Sequence, residues 1–328
     1  MKVLRSIPEL ACFSEPLSLA VGVFDGLHLG HQAVLHSAQQ EARSGDGRAV
    51  VVTFEPHPVR VLRPEKAPRL LASLPHKSIL LDRFELDALL VVAFDQVFAQ
   101  LSAEEFIGKI VEACRQLRSI SVGSGWRFGA GRGGNLDSLT SLGKAHDFCV
   151  HPVEPITFEG QAISSTRIRA AISEGDLRAA QAMLGRDYTV LGTVVAGRQL
   201  GRSIGFPTAN LRVLDEQLPP DGVYAVRALH AGAAYDGIAN VGLRPTVVGD
   251  GLTRHFEVHV FDFDKQIYGE EVEVTFAGFL RAEEKFADIE LLRKQITRDC
   301  ENACKALSES PISEGSPLSD SSSARNRP

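Results

Sequence analysis

The spacing of apolar residues changes once along this chain, near Tyr188, and the change separates two kinds of fold. Before Tyr188, short continuous apolar runs alternate with stretches of helical periodicity. The runs are "LSLAVGVF", "RAVVVTF", "DALLVVAF" and "RSISVGS", and the helical stretches include "HQAVLHSAQQEARS", "PHKSILLDRF" and "SAEEFIGKIVEACRQL". This alternation predicts an α/β fold with a parallel sheet covered by helices on both faces. In such folds, ligands bind beyond the carboxyl ends of the strands.

After Tyr188 the pattern becomes a series of short strands separated by Gly, Pro and Asp. Examples are "YTVLGTVVAG", "GVYAVRALH", "AYDGIANVG" and "EEVEVTFAGFL". Such a series is typical of an antiparallel barrel or sandwich. One last helix, "ADIELLRKQITRDCENACKAL", follows the strands, and "AAISEGDLRAAQAMLGR" is predicted to form a helical bridge between the two halves.

These patterns predict two domains, and 328 residues are enough to give each its own core. We place the first domain at residues 1–185 and the second at 186–307. Residues 308–328 are rich in Ser, Pro and Gly and poor in large apolar side chains. We therefore predict a disordered tail there.

Composition limits the possible partners. A net charge of −6 provides no basic field for a nucleic acid, so we expect no nucleic-acid partner. No apolar run approaches the roughly 20 residues that span a bilayer, and "MKVLRSIPELACF" has no long apolar segment. We expect neither a membrane partner nor a signal peptide. The five cysteines form no CxxC pair, which favours reduced thiols in the cytoplasm.

The segment "GVFDGLHLGH", Gly22 to His31, has the composition of an anion site. A strand is predicted to end at Phe24 and a helix to begin near His31, and free amides at a helix start attract phosphate. His28 and His31 are three residues apart, so both imidazoles can face one ligand and donate N–H groups to it. Two alternatives stay open at this point: surface or capping histidines, and a zinc pair that lacks a third ligand.

A second segment, "ISSTRIRAAI", opens a predicted helix with hydroxyls and guanidinium groups. Ser165, Thr166 and Arg169 share one helix face, which could hold phosphate oxygens. An ordinary N-cap followed by solvated arginines is the alternative. Together with the two histidines, the segment indicates a two-sided clamp on a triphosphate.

The second half carries its own candidate site. "GRQLGRSIGFPTANL" is glycine-rich without being a P-loop, and Thr208 and Asn210 offer oxygen ligands for a Mg²⁺ that also holds ATP. A proline-ordered turn is the alternative interpretation. In the strand "RHFEVHVFDF", Phe256, Val258 and Val260 are predicted to face the core, while Glu257 and His259 face outward. An outward glutamate on a strand is usually only solvated.

At the level of motifs, both halves resemble one family. "GxFDGxHxGH", "TFEPHP", "FDQVFAQLSAEEFI" and "ISSTRIR" resemble the nucleotidyltransferase module of the bifunctional bacterial riboflavin kinase/FMN adenylyltransferases. "GFPTAN", "GVYAV", "NVGLRPT", "FEVHVFDFD", "IYG" and "FLRAEEKF" resemble its riboflavin kinase module. The resemblance covers roughly residues 15–305 and implies a Rossmann-like nucleotidyltransferase domain, then an antiparallel β-barrel with a terminal helix.

The activities implied by the resemblance are phosphorylation of riboflavin to FMN and adenylylation of FMN to FAD with release of pyrophosphate. ATP and Mg²⁺ are implied for both steps, with FMN and FAD as products rather than prosthetic groups. Riboflavin's hydroxyl is neutral at pH 7 and benefits from a base, whereas the FMN phosphate is already largely ionised, since its second pKa is about 6.

The resemblance also assigns roles to residues. The implied catalytic residues are Glu257, His28, His31 and Arg169. The implied ATP- or phosphate-binding residues are Gly22, Phe24, Asp25, Gly26, Gly30, Ser165, Thr166, Gly201 and Gly205. The implied flavin-binding residues are Phe54, Pro56, Pro58, Trp126, Phe128 and Arg281. The implied metal ligands are Thr208 and Asn210.

This chain departs from the family pattern at "VGSGWRFG". Relatives usually carry Asp or Asn before the aromatic residue, where this chain has Gly125 and then Trp126. Trp126 could stack on a flavin or simply pack against the protein. Two alternatives to full bifunctionality follow: a riboflavin kinase with an impaired adenylyltransferase half, and a non-catalytic flavin-binding protein. Relatives also often have Asp in place of Asn135.

Overall fold

The computed structural model describes residues 1–197, 201, 204–245 and 252–309. The chain divides into two compact units. The first comprises Met1–Pro68 and Leu74–Ser164, and the second comprises Arg69–Ser73 together with the chain from Ser165 onward. The predicted division between residues 185 and 186 stays a prediction. Ser308 and Glu309 of the predicted tail are instead the last residues of the helix that begins at Ile289, and the rest of the tail, from position 310, lies outside the described residues.

The first unit is built on a six-stranded parallel sheet. In chain order its strands are β1 (Lys2–Leu4), β2 (Leu17–Val21), β3 (Arg48–Glu55), β4 (Ala88–Ala93), β5 (Leu117–Gly123) and β6 (Cys149–Val153). Their spatial order is β1-β4-β3-β2-β5-β6. The central strands are buried along almost their whole length, which explains why they appear in the sequence as continuous apolar runs.

Five helices connect these strands. They are α1 (Leu29–Ser44), α2 (Pro58–Leu62), α3 (Leu74–Asp82), α4 (Ala103–Ala113) and α5 (Leu136–His146). A capping box between Ser102 and Glu105 starts α4, and the side chain of Asn135 caps α5 by accepting from the Ser138 amide. Because Asn and Asp cap helices about equally well, the departure at Asn135 leaves this helix start intact. A short hairpin, β7 (Thr157–Phe158) and β8 (Gln161–Ala162), ends the unit.

The turn between β2 and α1 is longer than the sequence predicts. β2 ends at Val21 rather than Phe24, and α1 begins at Leu29. The reason is a change of backbone conformation: Phe24 has φ 51° and Leu27 has φ 47°, both in the left-handed region that neither strands nor helices use. Both side chains are fully buried, so the surrounding core holds the turn in this shape.

The described part of the second unit is a closed antiparallel barrel with helices on either side in sequence. The helices are α6 (Ser165–Glu174), α7 (Leu177–Leu184) and α8 (Ile289–Glu309). The strands are β9 (Thr189–Val195), β10 (Ala209–Val213), β11 (Gly222–His230), β12 (Ala233–Pro245), β13 (Leu252–Val260) and β14 (Glu271–Arg281). They close in the order β10-β13-β12-β11-β14-β9, so the barrel prediction is confirmed.

Helix α8 packs on the outside of the barrel. Its residues Ala303 and Leu307 form one apolar cluster with Val223 and Ala225 of β11. Asp299, also on α8, is 2% exposed and therefore belongs to the packed interface between helix and barrel. Among the described residues, no helix combines the length and the apolar character needed to cross a membrane.

Candidate active sites

The topology of the first unit gathers the predicted nucleotide and flavin residues that belong to this unit at one edge of the sheet, beyond the carboxyl ends of its strands. β4, β3, β2 and β5 are parallel neighbours, so the segments that follow them start at the same edge. Those segments are Phe94–Phe98, Phe54–Pro58, Phe24–His31 and Gly125–Phe128. From β2 the chain continues to β3 and β4 on one side, and from β4 it crosses to β5 on the other side of β2. This reversal is where open α/β sheets bind ligands.

The two histidines at this edge form a stacked pair at the start of α1. His28 is the N-cap residue, and its Nδ1 accepts a hydrogen bond from the His31 amide at 3.3 Å. The two rings lie 3.6 Å apart between centroids at 18°, and the edge of Phe24 meets His31 at 5.4 Å. His28 therefore caps the helix, as one alternative interpretation proposed, while its other nitrogen stays available for a ligand.

Burial keeps both imidazoles neutral. It lowers the pKa of His28 to about 4, although the carboxylate of Asp25 opposes the shift. Burial also lowers the pKa of His31 well below its usual value, and the neighbouring His28 and Lys77 add to this effect. Because Nδ1 of neutral His28 accepts a hydrogen bond, its proton resides on Nε2. At pH 7 His28 is thus a neutral N–H donor.

Two glycines in the motif make room for the rings. A Cβ at Gly30 would lie 3.2 Å from Cε1 of His28, and a Cβ at Gly22 would lie 3.2 Å from the ring of Phe24. Either contact is tighter than an ordinary van der Waals distance, so a side chain would push the ring out of place. Gly26, at φ 82°, adopts a conformation that L side chains rarely take.

Next to the two histidines, aromatic side chains lie at the same edge of the sheet. The ring of Phe54 lies 6.0–6.1 Å from those of Phe94, Phe98 and Phe106. Trp126 stacks face to face on Phe128, with centroids 4.3 Å apart and an angle of 9°. Trp126 is only half-buried, so its packing against the protein leaves part of its surface in contact with solvent.

The residue that precedes this tryptophan leaves space. Gly125 is exposed, and a Cβ built on it would meet no atom within 4 Å. The Cβ of an aspartate at this position would therefore displace no neighbour. Pro56 is exposed and Pro58 is half-buried at the carboxyl end of β3, where Pro58 is the first residue of α2.

The low pKa of His28 predicts acid sensitivity of the first unit. The unfolded histidine titrates near 6.5 and the folded one near 4, so the unfolded state binds more protons between these values. Stability is then fully present above pH 6.5 and decreases as the pH falls toward 4, by at most about 3 kcal/mol. This loss of stability can be measured by denaturant unfolding at several pH values, followed by the fluorescence of Trp126, the single tryptophan. His28→Asn should reduce this pH dependence, and equal slopes for both proteins would contradict the prediction.

Ser165, Thr166 and Arg169 belong to the second unit, where they lie in the first turns of α6. Thr166 is exposed, while Ser165 and Arg169 are half-buried. Nε of Arg169 donates to the carbonyl of Arg69 at 2.7 Å, which fixes the direction of the guanidinium. The phosphate-binding role of these three residues stays a prediction from their motif.

On the barrel, the predicted orientation of β13 is confirmed. Phe256 and Val258 are buried, whereas Glu257 and His259 are partly exposed on the other face. Val260, predicted for the core, is only half-buried because it lies at the end of β13 and lines a cavity. Glu257 is the register partner of Asn210 on β10, and of Asn240 on β12. Register partners in antiparallel strands share a face, so two amides flank this carboxylate.

A cavity of about 260 Å³ lies beside Glu257 on the outside of the barrel. Its lining includes Gly201, Thr208, Asn240, Glu257, Arg281 and Asp299. A second cavity, of about 290 Å³, is lined by Pro207, Thr208, Val260, Phe263, Lys265 and Tyr268. Thr208 borders both cavities and is thus placed between two potential ligands.

The loop before β10 is held in a tight turn. The carbonyl of Gly201 accepts from the amides of Ile204 and Phe206, at 3.2 and 2.8 Å. A Cβ at Gly201 would collide with the carbonyl oxygen of Phe206, and Gly205 has φ +90°. The backbone conformation therefore requires glycine at both positions.

Arg281 is the last residue of β14 rather than part of a loop. Its guanidinium donates to both carboxylate oxygens of Asp299, at 2.8–3.1 Å, and lies 5.6 Å from the ring of Phe286. Since Asp299 is buried on α8, this ion pair ties the end of β14 to the helix that covers the cavity. Arg281 reaches the cavity as part of its wall.

The donor set near Glu257 suits Mg²⁺ bound with a nucleotide. Thr208 and Asn210 provide a hydroxyl and an amide oxygen, and a hard cation prefers oxygen ligands. A Cβ at position 197 would collide with the amide of Asn210, so Gly197 leaves room for this side chain. Among the described residues, no group of three or more His, Cys, Asp or Glu could hold a metal ion. A two-ligand site completed by phosphates and water is usual for Mg²⁺.

Three residues that the sequence interpretation passed over lie at these sites. Lys77 is buried beneath the turn that carries His28, Asn240 flanks Glu257, and Asp299 holds Arg281. The spacing of Lys77 from Leu80 and Leu81 places it on the apolar face of α3, a signal that the sequence contains. Nothing in the sequence reveals the register of Asn240 or the partner of Arg281.

Comparisons with known proteins support the motif-based resemblance. A family model for FAD synthetase matches residues 12–167, and one for riboflavin kinase matches residues 184–307. A bifunctional riboflavin kinase/FMN adenylyltransferase of Haemophilus influenzae is 38% identical over 304 residues, which cover 92% of this chain and 98% of the relative. The Escherichia coli K12 protein of the same name is 37% identical over 91% of this chain and 96% of its own.

A solved structure matches both units. A crystal structure described as a macrolide-efflux protein from Streptococcus pneumoniae has a TM-score of 0.77 at 33% identity, over 92% of this chain and 97% of that one. That description applies to the pneumococcal protein and not to this chain. The shared fold and the near-complete coverage of both chains agree with the matches to the two bifunctional enzymes. The predicted fold class, enzyme class and pair of activities are confirmed. On these grounds the chain belongs to the family of bifunctional riboflavin kinase/FMN adenylyltransferases.

Proposed function

We propose that the two activities are divided between two sites, with riboflavin phosphorylated on the barrel and FMN adenylylated at the sheet edge that carries His28 and His31. The observation that carries this division is the row Asn210–Glu257–Asn240. Glu257 is the register partner of both amides, and it lines one cavity together with Asn240 and Thr208. The edge with the histidines offers neutral donors instead.

In the kinase site, Glu257 accepts the proton of riboflavin's 5′-hydroxyl as that oxygen attacks the γ-phosphorus of ATP. ADP leaves, and the product is FMN. Riboflavin occupies the cavity lined by Glu257 and Arg281, while the nucleotide occupies the cavity lined by Phe263 and Tyr268. Thr208 borders both cavities, so the phosphoryl group is transferred beside its hydroxyl.

Asn240 contributes to binding in the same cavity. Its Nδ2 donates to Glu283 at 2.9 Å, whereas its buried Oδ1 has no hydrogen-bond partner among the residues that the structure describes. A buried acceptor without a donor is costly, and a ribityl hydroxyl of riboflavin would satisfy it. Thr208 and Asn210 would hold Mg²⁺, which when bound supplies neutralisation of phosphate charge.

In the adenylyltransferase site, an oxygen of the FMN phosphate attacks the α-phosphorus of ATP and pyrophosphate leaves. The attacking oxygen is already anionic, so the site needs positioning and charge stabilisation rather than a base. The Nε2–H group of His28 and the first-turn amides of α1 donate to phosphate oxygens. The aromatic cluster with Trp126 and Phe128 holds the flavin. The compartment we propose is the cytoplasm, where both reactions find ATP.

A product assay tests this assignment. With ATP and Mg²⁺, riboflavin should give FMN and then FAD, and FMN supplied as the only flavin should give FAD, as resolved by chromatography. Consumption of ATP separates this outcome from a flavin-binding protein without catalysis. Absence of both products would contradict the proposed function.

Gly125→Asp tests the alternative of an impaired adenylyltransferase half. Because Gly125 is exposed and a Cβ there meets open space, the variant should fold normally. Its rate of FAD formation from FMN should stay within about threefold of the unsubstituted protein, as for most surface substitutions. Steady-state rates with FMN and ATP measure this. A gain of tenfold or more would favour the impaired alternative.

A further inference from the structure

Lys77 on α3 is a cation without an assigned role in the first unit. It is 4% exposed, although lysine is almost never buried so completely unless it is paired. Its Nζ donates to the carbonyl of Val23 at 2.7 Å and lies 3.4 Å from the hydroxyl of Thr53. Burying an ammonium group is costly because the charge loses its hydration, so its retention calls for a compensating role.

The acceptor of Lys77 begins the strained turn of the histidine motif. The Val23 carbonyl receives a second hydrogen bond, at 2.9 Å, from the hydroxyl of Thr53. The next residue, Phe24, is left-handed, as is Leu27, immediately before His28. Left-handed non-glycine residues are energetically costly and persist only where the surroundings hold them. Two donors on one carbonyl fix the point where this turn starts.

Lys77 also sets the charge beneath the site. Burial lowers the pKa of Lys77, and the carboxylates of Asp25 and Glu55 oppose that shift. In turn, the charge of Lys77 helps to lower the pKa of His31. The ammonium group therefore lies within electrostatic reach of a carboxylate and an imidazole on the same turn.

We propose that Lys77 is a positioning residue for adenylyl transfer, which holds the Val23–Leu27 turn and thereby aims the His28–His31 pair at the phosphates without itself touching the substrate. The proposal rests on the assignment of adenylyl transfer to this edge of the sheet. A lysine that bound substrate directly would chiefly affect KM. A lysine that positions the donors affects kcat, because misplacement of about 1 Å costs roughly 10²-fold in rate.

The test compares Lys77→Met with Lys109→Met, which removes the same charge from an exposed position on α4 of the same unit. Lys77→Met should lower kcat for FAD formation from FMN by about 10- to 100-fold, with KM for ATP and FMN changed less than about threefold. Lys109→Met should leave both constants unchanged. Quenching of Trp126 fluorescence by FMN checks that the first unit is folded, and riboflavin phosphorylation in the same sample reports on the barrel.

Unchanged kcat in Lys77→Met, or a rise of KM with kcat intact, would overturn the proposal. If Lys77→Met does not fold, Lys77→Arg decides. It keeps a cation of different shape in the same place, so FMN binding should persist while kcat falls. Full activity of that variant would also overturn the proposal. Failure of the unsubstituted protein to form FAD from FMN would instead refute the assignment of the site, before any variant is compared.

Discussion

Replacement of Glu257 by glutamine is expected to lower the rate of riboflavin phosphorylation by about 10²- to 10⁴-fold, the usual contribution of a positioned general base. Glutamine keeps the size of the side chain and its place between Asn210 and Asn240, but it cannot accept the hydroxyl proton. FAD formation from supplied FMN should be unchanged, because that attacking oxygen carries no proton to remove. Both rates can be measured by chromatography on one preparation.

Glu271→Gln provides the matched control for this experiment. Glu271 is an exposed residue at the start of β14, so its substitution removes the same charge from the barrel surface outside the cavity. It should retain the kinase rate. A Glu257→Gln variant within about threefold of the unsubstituted rate would be incompatible with general-base catalysis by this carboxylate, given the usual size of that contribution.

The second large effect is expected from His28→Asn, which should lower kcat for FAD formation by about 10²- to 10³-fold, as loss of one preorganised donor to a developing charge does. Asparagine is a good N-cap residue, so α1 should still begin at its present position. The substitution removes the Nε2–H donor of His28. In the unsubstituted protein, the hydrogen bond that Nδ1 accepts from the His31 amide orients this donor. Riboflavin phosphorylation should be retained.

His36→Asn is the control on the same helix, since His36 is exposed on α1, two turns beyond the cap. It should keep the adenylyltransferase rate. A loss of both activities in His28→Asn, with the protein still folded by Trp126 fluorescence, would argue against separate sites. Equal rates for His28→Asn and His36→Asn would remove His28 from the catalytic residues.

The two predictions differ because the two nucleophiles differ. An alcohol attacks well only when a base accepts its proton, and we propose Glu257 as that base. A phosphate monoester is already largely ionised at pH 7, and the histidines that we propose as its donors are held neutral by burial. Had His28 been the base, its low pKa would have made it a poor one at neutral pH.

Much of the fold was predictable from local patterns. The buried strands β2 to β5 appear as apolar runs because helices cover both faces of a parallel sheet. The alternation around Glu257 gave the faces of β13 correctly, because the side-chain period of a strand is fixed at two. The end of β2 was predicted three residues late, since the left-handed conformation of Phe24 is imposed by its packing and not by its propensity.

The sequence alone determined the family, the two-part architecture, and the residue types at each site, because periodicity and motif spacing are local properties of the chain. Tertiary structure alone decided which groups meet. It placed Lys77 under the Val23 carbonyl, Asn240 beside Glu257 and Asp299 against Arg281. The members of these pairs are 54, 17 and 18 residues apart in sequence, respectively. Burial, which depends on the packed fold, also lowers the pKa of His28 and of His31 and so keeps both imidazoles neutral. The spacing of residues in a motif does not predict this protonation state.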